Sequence, residues 1–187
     1  MPHKFDPAGI ERLLREDRIA PFTPREFLID SGLRSGMVMA DLGCGPGFFT
    51  KPAVDIVGSV GRVYALDTQE EMLTELKRRV HAYNLKAVRN EESSVQLNDA
   101  SVDFALMAFV FHELHDRVAV LAEMRRMLKK GGIFVLMDWQ KKVEERGPPF
   151  EERIDAAVAL DEVMAAGFIS VTLKSINASH YVVSAVS

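Results

Sequence analysis

Cysteine is almost missing: Cys44 is the only one in 187 residues. No intrachain disulfide can form, a Cys-rich metal site is excluded, and the expected compartment is the reducing cytoplasm. Long apolar runs are missing too. The longest, Phe104–Phe111, is far too short to span a bilayer, and the opening stretch "MPHKFDPAGIERLLRED" lacks the apolar centre of a signal peptide. Nor is there an excess of positive charge. The 23 Lys and Arg against 27 Asp and Glu leave a net charge of −4, which argues against a general nucleic-acid binder or a binder of anionic membranes. The basic clusters Lys77–Arg79 and Arg125–Lys130 fall where the last turns of helices are expected, so complementing the helix dipole accounts for them. Internal repeats and low-complexity segments are lacking. What is present is ordinary for a globular chain, 48% hydrophobic and 27% charged, with a length that suits one domain over residues 1–187.

Residues 1–36 read as a helical preamble. A short helix is expected near Ala8–Arg15, then a link punctuated by Pro21 and Pro24, then a helix near Arg25–Ser31 that Gly32 can end. From residue 37 onward strand and helix patterns alternate. Strands are expected at Val38–Leu42, Arg62–Leu66, Ala87–Arg89, Phe104–Phe109 and Ile133–Met137; several are continuously apolar, as strands covered on both faces are. Of the helices between them, "TQEEMLTELKRRV" has Thr68 and Glu71 in capping-box spacing and Met72, Leu76 and Val80 on one stripe. "RVAVLAEMRRMLKKGG" puts Val118, Leu121, Ala122 and Leu128 on one side and is expected to stop at Gly131–Gly132. Two further strands, Phe168–Leu173 and Tyr181–Val186, are joined only by "KSINASH". A parallel crossover needs a dozen or more residues, so this pair should run antiparallel. The prediction is an α/β fold: a doubly wound, mostly parallel sheet of seven strands with helices on both faces and an antiparallel last strand.

The stretch "ADLGCGPGFF", residues 40–49, sits where such a sheet opens its ligand crevice, at the carboxyl end of the first strand. Gly43, Gly45 and Gly47 follow G-x-G-x-G spacing, with Phe48 where a dinucleotide fingerprint wants its third glycine. Pro46 removes one amide from the loop. Asp41 adds negative charge close to where a pyrophosphate would lie. A ligand without phosphate, carrying a sulfonium and an ammonium, meets none of these objections, and Asp41 can help to orient its amino-acid end.

On these residues the chain resembles the class I S-adenosylmethionine-dependent methyltransferases, with "DLGCGPG" similar to their motif I. The resemblance covers roughly residues 33–140 and implies a Rossmann-like core over 37–187 with S-adenosylmethionine as cofactor. It implies that Asp41 takes part in placing the amino-acid end, that Gly43, Gly45 and Gly47 let the chain pass beside the methionine and ribose moieties, that Asp67, ending "RVYALD", binds the ribose hydroxyls, and that Cys44, Phe48 and Thr68 also contact the cofactor. It implies that Met72 lies against adenine and that Glu91, with Glu92 adjacent, meets the adenine amino group. Phe109 and Val110 match positions whose backbone lies by the cofactor's amino group. The antiparallel terminal hairpin is also a family feature. The likeness is nearest to the branch that methylates quinone precursors and other small metabolites. Arsenite-methylating relatives use several cysteines, which this chain lacks.

The acceptor half of the site is expected beyond the fourth and fifth strands, at "FHELHD" (residues 111–116) and "DWQ" (residues 138–140). His112 and His115 are the candidate general bases, since imidazole titrates near neutrality. Asp138 and Trp139 are expected to edge the acceptor pocket. The preamble, with His3, Phe5 and Arg18, and the loop "KKVEERGPPF", stiffened by Pro148 and Pro149, are expected to close it. No metal is called for, and the expected partner is a small-molecule methyl acceptor. Two alternatives stand beside this reading: a nicotinamide-dependent oxidoreductase, and a non-catalytic cofactor-binding module.

Overall fold

The computed structural model describes residues 9–187, so His3 and Phe5 lie outside the described residues. A short helix, α1 (Ile10–Leu13), and a 3-10 turn over Glu16–Ile19 lead into α2 (Pro24–Asp30). The capping box here belongs to α2: the Glu26 amide donates to Thr23 Oγ1 at 3.2 Å, and the Thr23 amide donates to the Glu26 carboxylate at 2.9 Å.

The strands are β1 (Val38–Leu42), β2 (Arg62–Asp67), β3 (Leu85–Arg89), β4 (Val102–Ala108), β5 (Leu128–Trp139), β6 (Ile169–Ser175) and β7 (His180–Val186). They form one seven-stranded sheet in the order β3-β2-β1-β4-β5-β7-β6. The pairs among β3, β2, β1, β4 and β5 are parallel, while β7 is antiparallel to both β5 and β6. The short "KSINASH" connection thus makes the hairpin it required.

Alternation along the strands feeds two cores. Met39, Phe104, Leu106, Val135 and Met137 pack with Phe27 and Leu28 of α2, with Ala53, Val54 and Val57 of α3 (Thr50–Val57), and with Leu73 and Leu76 of α4 (Glu70–Arg79). Ala40, Leu42, Ala105, Met107, Phe134 and Leu136 face the other way, against α5 (Arg117–Met127) and α6 (Ala156–Ala165). Helices therefore cover both faces of the sheet. None of the helices among the described residues is long and apolar enough to cross a membrane.

Three local expectations are corrected. Thr68 does not cap α4: the helix starts at Glu70 with Gln69 as N-cap and no side-chain cap, so Thr68 lies one residue ahead of the capping position, and the Gln69 amide donates to Asp67 Oδ1 at 2.9 Å. The buried face of α5 is Val120, Leu121, Met124 and Met127, while Val118 is exposed. That larger apolar stripe fixes the helix rotation, and Asp116 caps the helix through the Ala119 amide at 2.9 Å. Finally, α5 ends at Met127, not at Gly131–Gly132. The chain is already extended from Leu128, which pairs with Val102, and both glycines lie inside β5.

Candidate active site

Parallel strands bring their carboxyl ends to one edge, and there the chain encloses a cavity of about 1080 Å³. Its lining includes Asp41, Gly43, Cys44, Gly45, Phe48, Asp67, Thr68, Met72, Glu92, Phe109, Val110 and His112. Gly47, Glu91 and His115, also candidates from sequence, are not part of the lining. A Cβ on Gly47 would fall 2.5 Å from a Leu76 methyl, so that glycine serves packing against α4. Glu91 makes an isolated bridge to Ser94. His115 is exposed, and its Nδ1 lies 2.9 Å from Glu92 Oε2.

The glycine loop is tied to β2, since the Gly43 and Cys44 amides both donate to the Leu66 carbonyl, at 2.8 and 3.0 Å. Gly43 has φ +67°, and a Cβ there would fall 2.2 Å from Val110 Cγ2. The chain comes so close because Phe109, at the end of β4, holds φ +61° and turns Val110 over the loop. A left-handed aromatic costs roughly 1–3 kcal/mol, strain of the kind found at functional sites.

Asp67 is the pivot of this end. Its Oδ2 accepts the Gly45 amide and its Oδ1 the Gln69 amide, each at 2.9 Å. A carboxylate held in this way by two backbone amides is fixed in one orientation. Asp41 is buried and accepts from Thr50 Oγ1 at 2.6 Å; burial pushes its carboxyl up to about 7, against the Thr50 hydrogen bond. Burial also raises the Cys44 thiol, with the Asp41 and Asp67 charges adding to the effect, so it is not a thiolate nucleophile. Glu92 lines the cavity, yet its oxygens hold the His115 amide at 2.7 Å and the His115 ring. Asn90, which sequence reasoning passed over for its acidic neighbours, is buried in the lining at the same strand end.

At the other end Phe109, Trp139 and His180 pack as three mutually touching rings, with centroids 4.4–5.7 Å apart. His112 stands beside them. Its Nδ1 lies 2.7 Å from Asp138 Oδ1, and its backbone amide donates to Asp138 Oδ2 at 2.9 Å. Asp138 was expected on the wall; it is instead fully buried behind His112, holding the ring from the rear. An Nδ1–H donated to Asp138 leaves Nε2 as the acceptor, 3.7 Å from Glu113 Oε1. Burial pulls the imidazole pKa down, but the Asp138 and Glu113 carboxylates outweigh it and the net shift is upward. Glu113 itself is pushed up to about 7 by burial, partly countered by His112. His180 and Arg153 gave no sequence signal, since they meet the site from elements far along the chain. Arg153, almost wholly buried, ties down the loop after β5 through the carbonyls of Gln140, Arg146 and Pro148 and the carboxylate of Glu144.

These groups suit S-adenosylmethionine better than a dinucleotide. The Gly45 amide, which a pyrophosphate would need, is already given to Asp67, and carboxylates stand along the loop. A sulfonium and an ammonium are favoured by that charge. Gly45 supplies the room: a Cβ there meets nothing nearer than a Leu13 methyl at 4.0 Å.

A methyltransferase-domain family model matches residues 40–136. The chain is 34% identical over 115 residues to a demethylmenaquinone methyltransferase of Staphylococcus aureus, covering 61% of this chain and 48% of that protein. It therefore spans about half the length of the curated relatives it matches. A crystal structure of a SAM-dependent methyltransferase from Aquifex aeolicus superimposes with a TM-score of 0.91 at 34% identity, over 98% of this chain and 99% of that one. Phosphoethanolamine N-methyltransferase 2 of Haemonchus contortus, solved with S-adenosyl-L-methionine, shares the fold at 14% identity and a TM-score of 0.80, over 97% of this chain and 57% of that one. With its motif I loop and terminal hairpin in place, the chain belongs to the methyltransferase-domain family, among the class I S-adenosylmethionine-dependent methyltransferases.

Proposed function

We propose that the protein transfers a methyl group from S-adenosylmethionine to a small-molecule acceptor with a flat, ring-bearing body. The observation that carries the cofactor half is Asp67, held by the Gly45 and Gln69 amides inside a cavity with a carboxylate-rich loop. When bound, the cofactor supplies a methyl group already activated on a positively charged sulfur. The chain's own residues then hold, align and deprotonate. Asp67 accepts the ribose hydroxyls, Met72, Asn90 and Glu92 border the adenine, and Gly43–Gly45 with Phe109 and Val110 surround the amino-acid end.

The aromatic wall of Phe109, Trp139 and His180 suits a planar acceptor, and the likeness to a quinone-precursor enzyme agrees with a ring of that kind. His112 is the proton acceptor of this reading. Asp138 takes its Nδ1–H and raises its basicity, so Nε2 can receive the acceptor's proton. The segment before β1 and the loop over residues 141–150 act as covers that keep water out, with Arg153 holding the second.

The test is incubation with methyl-labelled S-adenosylmethionine and a metabolite extract, followed by identification of the labelled product. A labelled small molecule is expected, with His112→Gln slowing its formation about a hundredfold and leaving affinity for S-adenosylhomocysteine unchanged. Tight cofactor binding with no labelled product would leave the non-catalytic module. Weaker cofactor binding in His112→Gln would make the histidine a binding residue.

A further inference from the structure

Among the described residues, an arginine of the cavity wall is stacked on aromatic rings and not paired with a carboxylate. Arg18 lies in the 3-10 turn Glu16–Ile19, half-buried, and lines the cavity. Its Nη1 donates to the Leu13 carbonyl at 3.2 Å, and no carboxylate among the described residues comes within ion-pair distance of it. The neighbouring arginines differ. Arg15 pairs with Asp17 at 2.7 Å, and Arg153 pairs with Glu144 at 2.8 Å on top of its three carbonyls.

The Arg18 guanidinium carbon sits over the Phe109 ring, 4.1 Å from its centroid, and 5.7 Å from that of Phe48. Stacking of this kind uses the faces of the guanidinium and orients it; the N–H donors lie in its plane, at the edge. Of the five donors of that edge, one is used by Leu13. Burial lowers its pKa to about 10, with Asp138 and Glu113 acting from a distance in the opposite sense, so it remains charged at neutral pH. A partly desolvated cation with an open fork is costly by itself and favourable once a planar anion meets it. Position matters as much as charge. Phe48 follows the glycine loop and Phe109 begins the aromatic wall, so Arg18 stands where the two halves of the cavity meet.

We infer that Arg18 is the cavity's receptor for a carboxylate-type oxyanion carried by a bound ligand. Two ligands have that chemistry to offer: the amino-acid carboxylate of the cofactor, and an acidic group on the methyl acceptor. The inference rests on the reading of this cavity as the cofactor and acceptor site, and it gives that site a charge requirement that its carboxylates alone would not suggest.

Calorimetric titration of wild type, Arg18→Gln and Arg18→Lys with three probes separates the cases. S-adenosylhomocysteine carries the amino-acid end; 5′-methylthioadenosine is the same adenosine thioether without it; 4-hydroxybenzoate, added to protein saturated with S-adenosylhomocysteine, offers an aromatic carboxylate to the acceptor half. A loss of about tenfold or more in S-adenosylhomocysteine affinity in Arg18→Gln, with 5′-methylthioadenosine unchanged and Arg18→Lys in between, assigns the receptor to the cofactor's carboxylate. Arg18-dependent binding of 4-hydroxybenzoate, with both thioethers unchanged, assigns it to the acceptor. Equal losses for both thioethers overturn the inference, because lost packing over Phe109 then explains them. Unchanged S-adenosylhomocysteine affinity with no Arg18-dependent binding of 4-hydroxybenzoate overturns it as well. Wild-type protein that binds neither thioether removes the cavity reading itself, a different failure from either.

Discussion

A methyl group added at Gly45 would point into space bounded only by Leu13 at 4.0 Å, whereas one added at Gly47 would land 2.5 Å from Leu76. Both residues hold positive φ, +52° and +100°, so either alanine carries backbone strain of roughly 1–2 kcal/mol. The two variants should then part. Gly45→Ala is expected to lose little beyond that strain while binding S-adenosylhomocysteine at least tenfold more weakly. Gly47→Ala adds overpacking of about 1–3 kcal/mol and should melt well below Gly45→Ala. Thermal unfolding and calorimetric titration of the pair decide the matter; a Gly45→Ala protein with wild-type affinity would mean that the loop does not approach the cofactor. Spacing alone does not distinguish these glycines, because G-x-G-x-G is silent on which Cα faces a ligand and which faces a helix. The same blindness affects Glu91 and Asn90. Counting back from Asp103 finds the strand end, but which of two neighbours turns inward depends on the local twist after β3.

Elements were legible wherever one signal acted alone. The β1 bounds follow from the apolar run between Gly36 and the glycine loop, and the terminal hairpin follows from the length of its connection. They blurred where two signals competed. Gly131–Gly132 reads as a helix stop, but β4 offers Leu128 and Ile133 edge hydrogen bonds, and pairing carries the strand through both glycines. The loop after β5 was readable as a cover from its charges and prolines, and its anchor was not, since Arg153 looks like any solvated arginine until Gln140, Glu144, Arg146 and Pro148 surround it. Replacing it tests the cover at its own scale. Arg153→Met keeps the stem over Trp139 but leaves three carbonyls and the Glu144 carboxylate without that donor. Amide exchange over residues 141–152 should quicken at least tenfold, and stability should fall by about 3 kcal/mol, the usual scale for breaking a buried ion pair. Unchanged exchange across that stretch would show that the loop holds itself.

Across the whole molecule, the least legible part of the site is what distant segments bring to it. Arg18, expected only as part of a cover, arrives from before β1 and stacks on Phe109; Asp138, expected on the wall at the end of β5, holds His112 from behind; and His180, from the start of β7, reaches Phe109 with no local signal to announce it. That convergence also sets the response to acid, through two buried groups that pull in opposite directions. Burial lowers His180 to about 4, helped by the Arg18 charge, from an ordinary value of 6.5. Between those values the unfolded chain takes up a proton that the folded chain refuses, so stability falls as pH drops from 6.5 toward 4, by on the order of 3 kcal/mol in total. Asp41, raised to about 7 from an ordinary 3.8, has the opposite sign: the folded chain takes its proton first, and stability is lost as pH rises from 3.8 through 7. Glu113, also raised to about 7, adds to that second slope in wild type and variants alike and cancels in the comparison. Between pH 4.5 and 6.5 the single variants should therefore tilt away from the wild-type curve in opposite directions. Relative to wild type, His180→Phe gains stability as the solution is acidified and Asp41→Asn loses it. Urea unfolding at three pH values in that window reads the slopes directly, independent of any constant cost of either substitution. Curves for both variants running parallel to wild type would mean that neither group keeps its charge state against the solvent, and the cavity would then be far wetter than its buried carboxyl and imidazole imply.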